Sequence, residues 1–245
     1  MSQKRIDGRD ADELRPMAIT LGATPYAEGS VEVRCGNTKL LVAASIEQDV
    51  PPWMDKTTGG WITAEYGMLP RATHTRNKRE AASGKQSGRT LEIQRLIGRA
   101  LRAAIDLKQI PGLTIRLDCD VLCADGGTRT AAISGAWVAL AQAISWAKKK
   151  ELVAPDVRVH PVGAISVGIV GGRALLDLCY EEDSKADFDL NVVLDEKKNF
   201  IEIQGTAERE SVPSDRLLEL TSLAMKGIEQ VMSIQSSAIG GVGIE

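Results

Sequence analysis

Ala124-Asp125-Gly126-Gly127-Thr128-Arg129-Thr130-Ala131 lies where a period-two pattern hands over to a helical one. The preceding run, Leu113-Thr114-Ile115-Arg116-Leu117-Asp118-Cys119-Asp120-Val121, alternates apolar and polar residues as a half-buried strand does. Beyond it, Ala132, Ala136, Leu140, Ala143 and Ala147 recur at helical spacing, and the run ends in Lys148-Lys149-Lys150, charges that suit a helix C-terminus. The spacing therefore predicts a strand, a glycine turn and a helix. Unpaired N–H groups at a helix start, glycines that let an anion approach, the Thr128 hydroxyl and the forked Arg129 cation together supply what a phosphate needs. An ordinary corner with an exposed arginine has the same look, so the remaining chain has to decide.

Two hairpins flank this junction. Gly36-Asn37 separates Ser30–Cys35 from Lys39–Ala44, and Gly171-Gly172 separates Ala164–Val170 from Ala174–Tyr180. Each hairpin is followed by a polar stretch, a strand-like run (Gly60–Tyr66; Asn199–Gln204) and an amphipathic helix, one near Arg89–Leu107 and one after Pro213. This order predicts an α+β, pseudo-duplicated architecture with halves of about 1–150 and 151–245. On the first of these helices Leu91, Ile97, Leu101, Ala104 and Ile105 share one side, and Arg95, Arg99 and Arg102 form a stripe on another, read as a solvated face or a subunit contact. Ser214 is the expected N-cap of the last helix, with Leu217, Leu218, Ala224, Ile228 and Val231 in the core and a loose tail from Ser236 to Glu245.

A chain of 245 residues can bury a core without staples. Cys35, Cys119, Cys123 and Cys179 form no C-x-x-C pair and have no nearby histidines, so buried free thiols in a reducing compartment are expected. No apolar run is expected to span a membrane, and Met1-Ser2-Gln3-Lys4-Arg5 is not followed by a signal-peptide core; a cytoplasmic protein is the expectation. The net charge of −3 hides an asymmetry. Between Arg71 and Arg102 nine Lys or Arg face only Glu80 and Glu92, whereas from Asp177 to Glu196 eight acidic residues face only Lys185.

Several ordered blocks carry a resemblance to the ribonuclease PH family, the bacterial phosphate-dependent 3' exoribonucleases that trim transfer RNA precursors. They are Gly8-Arg9, Leu14-Arg15-Pro16, Ala27-Glu28-Gly29-Ser30, Gly36-Asn37-Thr38-Lys39, the run from Gly60 to Arg71, the run from Gly88 to Arg99, Asp118-Cys119-Asp120-Val121, the glycine turn, Glu182-Asp183-Ser184 and Gln204-Gly205-Thr206-Ala207-Glu208. The resemblance implies a βαβα-type core like that of ribosomal protein S5 domain 2, with mixed sheets packed against helices, and a single domain over 1–245. It implies phosphate contacts at Arg89, Gly127, Thr128 and Arg129, catalytic and metal-associated carboxylates at Asp183 and Asp189, and RNA contacts at Arg71, Arg76 and Arg79. Mg2+ or Mn2+ is the implied cofactor and inorganic phosphate the co-substrate, with transfer RNA precursors as substrates and a hexamer, a trimer of dimers, as the assembly. Glu182 and Asp187 lie in the same acidic run and read as solvated charges, while Trp61, Tyr66 and Met68 read as core rather than as base-stacking surfaces.

The implied reaction is phosphorolysis of an RNA 3' end, reversible as nucleotide addition. A non-catalytic RNA-binding ring subunit and a small-molecule phosphotransferase are the alternatives. The chain departs from the family pattern at Arg209, where Gly is usual, in Gln109-Ile110-Pro111-Gly112, and in the tail Gly240–Glu245.

Overall fold

The computed structural model of the chain describes residues 4–207 and 211–240. In chain order the elements are β1 (Met17–Leu21), β2 (Gly29–Cys35), β3 (Thr38–Glu47), β4 (Trp61–Met68), α1 (Glu80–Ser83), α2 (Gly88–Arg102), β5 (Thr114–Cys123), α3 (Thr128–Lys149), β6 (Val162–Val170), β7 (Arg173–Leu176), α4 (Tyr180–Asp183), β8 (Phe188–Asp195), β9 (Phe200–Ala207) and α5 (Ser214–Ile239).

β1-β2-β3-β5-β4 form a mixed five-stranded sheet, and β7-β6-β8-β9 form an antiparallel four-stranded one. The fold is α+β. In the first sheet β4 runs parallel to β5, an arrangement that needs a long connection, here supplied by α2. β8 and β9 are joined by a short turn and pair antiparallel. That difference limits the duplication: both halves repeat a hairpin and end in a long helix, but the second carries β8, which the sequence reading missed. Its interior, Leu190-Asn191-Val192-Val193-Leu194, is buried on both faces and shows no alternation to read.

α3 lies between the sheets and is buried on nearly every side. It approaches β2 so closely that a Cβ at Gly29 would run into the Ala139 carbonyl, and one at Gly135 into Val33. The main core joins Val31, Leu40, Ile62, Leu101 and Leu140 of the first half to Val162, Ala164, Val193 and Ile239 of the second. A second cluster packs Ile165, Val167, Leu190 and Val192 under Leu220, Ala224, Ile228 and Val231 of α5. By length and composition α3 reaches the threshold for a membrane span, against expectation, but most of it is enclosed here as the core helix.

Several local expectations need correcting. α2 ends at Arg102 rather than near Leu107, and Leu91 points outward while Ile93, Leu96, Ile97, Ala100 and Leu101 are buried. Ser214 is not a cap: the cap position is Pro213, with no side-chain bond. Leu217 and Leu218, in the first turn of α5, are exposed, and the buried stripe starts at Leu220. The helix also continues through Ser236 to Ile239, where a loose tail was expected. Cys123 is exposed at the end of β5, whereas Cys35, Cys119 and Cys179 are buried. Met1–Gln3, the Glu208-Arg209 pair and the tail beyond Gly240 lie outside the described residues.

Candidate functional site

The glycine turn is built as the sequence suggested, strand β5 to helix α3. Gly126 and Gly127 adopt φ of 75° and 62°, left-handed values that favour glycine. Gly127 is the N-cap of α3, and the first helical bond runs from the Ala131 N–H to the Gly127 carbonyl. The N–H groups of Thr128, Arg129 and Thr130 therefore stand outside the helical ladder, at the positive end of a 22-residue helix. Thr38, fully buried, holds the turn from below: its hydroxyl donates to the Gly126 carbonyl at 2.8 Å and accepts the Asp125 N–H at 2.9 Å.

Thr128 is positioned by Tyr66, whose buried phenol donates to Thr128 Oγ1 at 2.8 Å. The hydroxyl proton of Thr128 is thereby left to be donated elsewhere. Burial pushes the Tyr66 phenol above its ordinary value, against the pull of Thr128, Arg89 and Arg129. Arg89 is the exposed second residue of α2. The start of that helix is fixed by Ser87, which accepts the Thr90 N–H at 3.1 Å, and by Glu80, which accepts the Thr90 hydroxyl at 2.8 Å. Arg129 is mostly buried, 3.6 Å from Glu92 and 3.3 Å from Gln204 Oε1 on β9.

The glycine turn, Thr128, Arg129, Arg89 and Glu92 line a cleft of about 860 Å³. Arg89, Gly127, Thr128 and Arg129 meet Asp183 and Asp189 there. Strand register explains the second wall. Asp189 pairs across the sheet with Gly168 and Thr206, and Asn191 with Ser166 and Gln204. Nearer the middle of α3 the same face of the sheet carries Ala164 and Val193, so it is apolar against the helix and polar where the helix stops. The cleft forms at that change.

Arg71 and Arg76 are exposed and do not line the cleft. Arg79 borders an adjoining groove of about 740 Å³ with Lys85, Asp118 and Asp120. The segment carrying them reaches the cleft through Thr73, His74, Thr75 and Asn77. Of the arginine stripe on α2, Arg99 makes a two-point bond to Glu202 on β9, and Arg102 lies 4.5 Å over the Trp61 ring while donating to the Ile62 carbonyl at 2.9 Å. Those two positions fasten α2 to both sheets. The exposed rings at the cleft are Tyr180 and His74, 6.0 Å apart, and neither was singled out in the sequence.

Glu182, read as a surface charge, is buried. It accepts from Arg5 Nε at 2.8 Å and Nη2 at 2.5 Å, and its carboxylate also receives the Cys179 N–H, closing a capping box on α4. Asp177 is buried beside it, bonded to Arg15 through Nε at 3.0 Å, Nη2 at 2.6 Å and the Arg15 N–H at 2.9 Å. Arg9 donates to the Asp177 carbonyl at 3.0 Å. Burial would raise both carboxyls, but Arg15 holds Asp177, and Arg5 holds Glu182, below the usual carboxylate range. The sequence signal for this network lies in the Gly8-Arg9 and Leu14-Arg15-Pro16 blocks, whose acidic partners are more than 160 residues away.

Among the described residues no group of three or more His, Cys, Asp or Glu side chains is arranged to hold a metal. Of the three carboxylates that line the cleft, Glu92 lies beside Arg129 on the α2 side, and Asp183 and Asp189 line it together with the oxygens of Ser166 and Asn191. That hard-oxygen set suits an ion of the Mg2+ kind, which one or two carboxylates hold together with substrate phosphates and waters.

Free N–H groups at a helix start, facing a carboxylate pair across one cleft, could hold a phosphate beside an oxygen-liganded cation. Residues 13–144 match the 3' exoribonuclease family, domain 1, and residues 160–227 match domain 2, so the chain belongs to the ribonuclease PH family. Its fold is shared with solved structures at low identity. One is rice (Oryza sativa) Rrp46, with a TM-score of 0.79 and 18% identity over 96% of this chain and 100% of that one. Another is a chain of the Archaeoglobus fulgidus exosome with RNA bound to the active site, with a TM-score of 0.78 and 24% identity over 94% and 92%. A third, from an archaeal exosome core, gives 0.76 and 22% over 95% and 91%.

Proposed function

We propose that this chain is a phosphorolytic 3'–5' exoribonuclease that trims the 3' ends of transfer RNA precursors. The observation that carries the reading is the meeting of Arg89, Gly127, Thr128 and Arg129 with Asp183 and Asp189 on one cleft. Inorganic phosphate sits on the N–H groups at the start of α3, with the Thr128 hydroxyl and two guanidiniums around it. A phosphate oxygen attacks the phosphorus of the last phosphodiester, the bond to the preceding 3' oxygen breaks, and a nucleoside diphosphate leaves. The departing oxygen takes a proton from a carboxyl of the Asp183 and Asp189 pair. Mg2+ or Mn2+ held by the same two residues supplies positive charge to the crowded phosphates when bound. Arg89 and Arg129 do the same from the protein side, so catalysis rests on positioning and electrostatics. Because a phosphodiester bond is exchanged for the phosphoanhydride bond of a nucleoside diphosphate, the step also runs backwards and adds nucleotides.

Arg71, Arg76 and Arg79, on and beside the segment that borders the cleft, hold the backbone of the RNA body. The working assembly in this reading is a cytoplasmic homohexamer, a trimer of dimers, with no membrane partner. The fold likeness to Rrp46 and to archaeal exosome chains, one of them with RNA bound to the active site, favours a second reading, a ring subunit that binds RNA without cutting it. Incubation with 3'-extended transfer RNA, with and without phosphate, separates the two. Phosphate-dependent release of nucleoside diphosphates is expected. RNA retained but unshortened would transfer the assignment to the non-catalytic subunit, and shortening without phosphate would refute both.

A further inference from the structure

The proposed phosphate turn is held from behind by a side chain that does not line the cleft. Arg15 is almost fully buried, and its guanidinium spans two parts of the chain 50 residues apart or more. Toward the turn it donates through Nη1 to the Asp125 carbonyl, a short contact, and through Nη2 to the Gly126 carbonyl at 3.5 Å. Toward the second half it is paired with the Asp177 carboxylate, the residue four positions before Glu181 in the strand-to-α4 connection. Nη2 also occupies the space above Gly127, only 2.8 Å from where a Cβ would sit. The same connection touches the turn again, since a Cβ on Gly126 would strike the Leu178 carbonyl, and the Tyr180 N–H donates to Asp125 Oδ1 at 3.2 Å.

We infer that Arg15 is a positioning residue for phosphate: anchored on Asp177, it pins the Asp125 and Gly126 carbonyls so that the N–H groups of Gly126 and Gly127, trans to those carbonyls in the same peptide units, face the cleft and keep register with α4 and Asp183. Two adjacent peptide carbonyls turned inward onto one cation leave the following N–H groups turned outward, because successive peptide planes here are set by the two left-handed glycines. The inference rests on the phosphate reading of the turn and adds to it the part that aims the turn. Arginine is required because a single ammonium cannot bridge two carbonyls and a carboxylate in one plane.

The test compares Arg15→Lys with Arg9→Lys. Arg9 shares Asp177 and Glu182 but donates to no atom of the turn in the bonds described above. Binding of inorganic phosphate is measured by titration calorimetry, and initial rates are measured against phosphate and against RNA. Arg15→Lys is expected to weaken phosphate binding and raise the phosphate KM by about tenfold or more, with the RNA KM near that of the parent. Arg9→Lys lowers the thermal midpoint but leaves phosphate binding near that of the parent. Equal weakening in both variants, or a loss of thermal stability alone in Arg15→Lys, overturns the inference. If Arg15→Lys does not fold, Asp177→Asn carries the same comparison. In the unaltered protein, saturating phosphate is expected to slow hydrogen exchange at the Arg15 N–H, held by Asp177, together with Gly126 and Gly127; protection confined to the turn counts against the inference. Phosphate binding without nucleoside diphosphate release would defeat the enzyme reading and leave this comparison standing. A parent that binds no phosphate defeats both.

Discussion

Arg5, Arg9 and Arg15 enter a buried space that already holds Asp177 and Glu182. Three guanidiniums there are tolerable because each has directional acceptors, and removing one partner costs more than the pair contributes. Arg5→Ala strands Glu182 among the Leu176 and Asp177 carbonyls that Arg5 also satisfied, at 2.7 and 3.1 Å. A loss of about 3–5 kcal/mol is expected, read from urea denaturation. The pH dependence has a definite sign. Asp177 and Glu182 have folded values below their ordinary ones, so their contribution is complete above the unfolded carboxylate range and disappears as pH falls through the lowered values. Acid unfolding of the parent therefore starts below about pH 4. In Arg5→Ala the onset moves to higher pH, because Glu182 loses the charge that depressed it; an unchanged acid midpoint would show that the pair does not contribute.

The strand-turn-helix unit and α4 act together as one element. Gly126→Ala combines strain at a positive φ, about 1–3 kcal/mol, with a collision against Leu178 and Cys179. The expected outcome is a folded but less stable protein whose kcat falls because α4 and Asp183 are displaced; normal kcat with reduced stability alone would separate the turn from the carboxylates. Much of this element was legible. Gly126-Gly127 after an alternating run announces the corner, and Gly36-Asn37 and Gly171-Gly172 announce their hairpins. The duties of Asp177 and Glu182 were not, since a buried carboxylate and a solvated one look alike inside an acidic run, and the cation that neutralises Glu182 lies 177 residues away. β8 was hidden for the opposite reason: buried on both faces, it lacks the alternation by which a strand is recognised. Leu217 and Leu218 misled because helical spacing states which residues share a face and not where along the helix the sheet begins.

Across the whole molecule, charge is divided between the basic segment and the acidic wall of the cleft. In the proposed function, phosphate backbones are drawn to the first and their ends delivered to the second. Replacing Arg71, Arg76 and Arg79 with Ala is expected to weaken RNA binding at low salt and to flatten its salt dependence by up to about 0.7 in logarithmic slope per lost contact on single strands. Phosphate binding at the turn should be untouched. An unaltered salt slope would place RNA elsewhere, and undiminished activity on a small phosphorylated substrate, with none on RNA, would favour a small-molecule phosphotransferase. Family membership was legible because its blocks are spread along the chain in order. Assembly is not legible in the same way, because it is a relation between surfaces and not a pattern along one chain.

The Cys35 thiol sits under the Arg15 and Asp177 pair, 3.6 Å from Asp177 Oδ2, and burial with that neighbouring carboxylate pushes its pKa up to about 12. Cys123, exposed, has no such cover. In a thiol-labelling experiment Cys123 modifies at once, and Cys35 reacts only during the moments when the N-terminal segment lifts away from the second half. The chain thus carries its own stopwatch: the ratio of the two alkylation rates reports how often the back of the turn comes open.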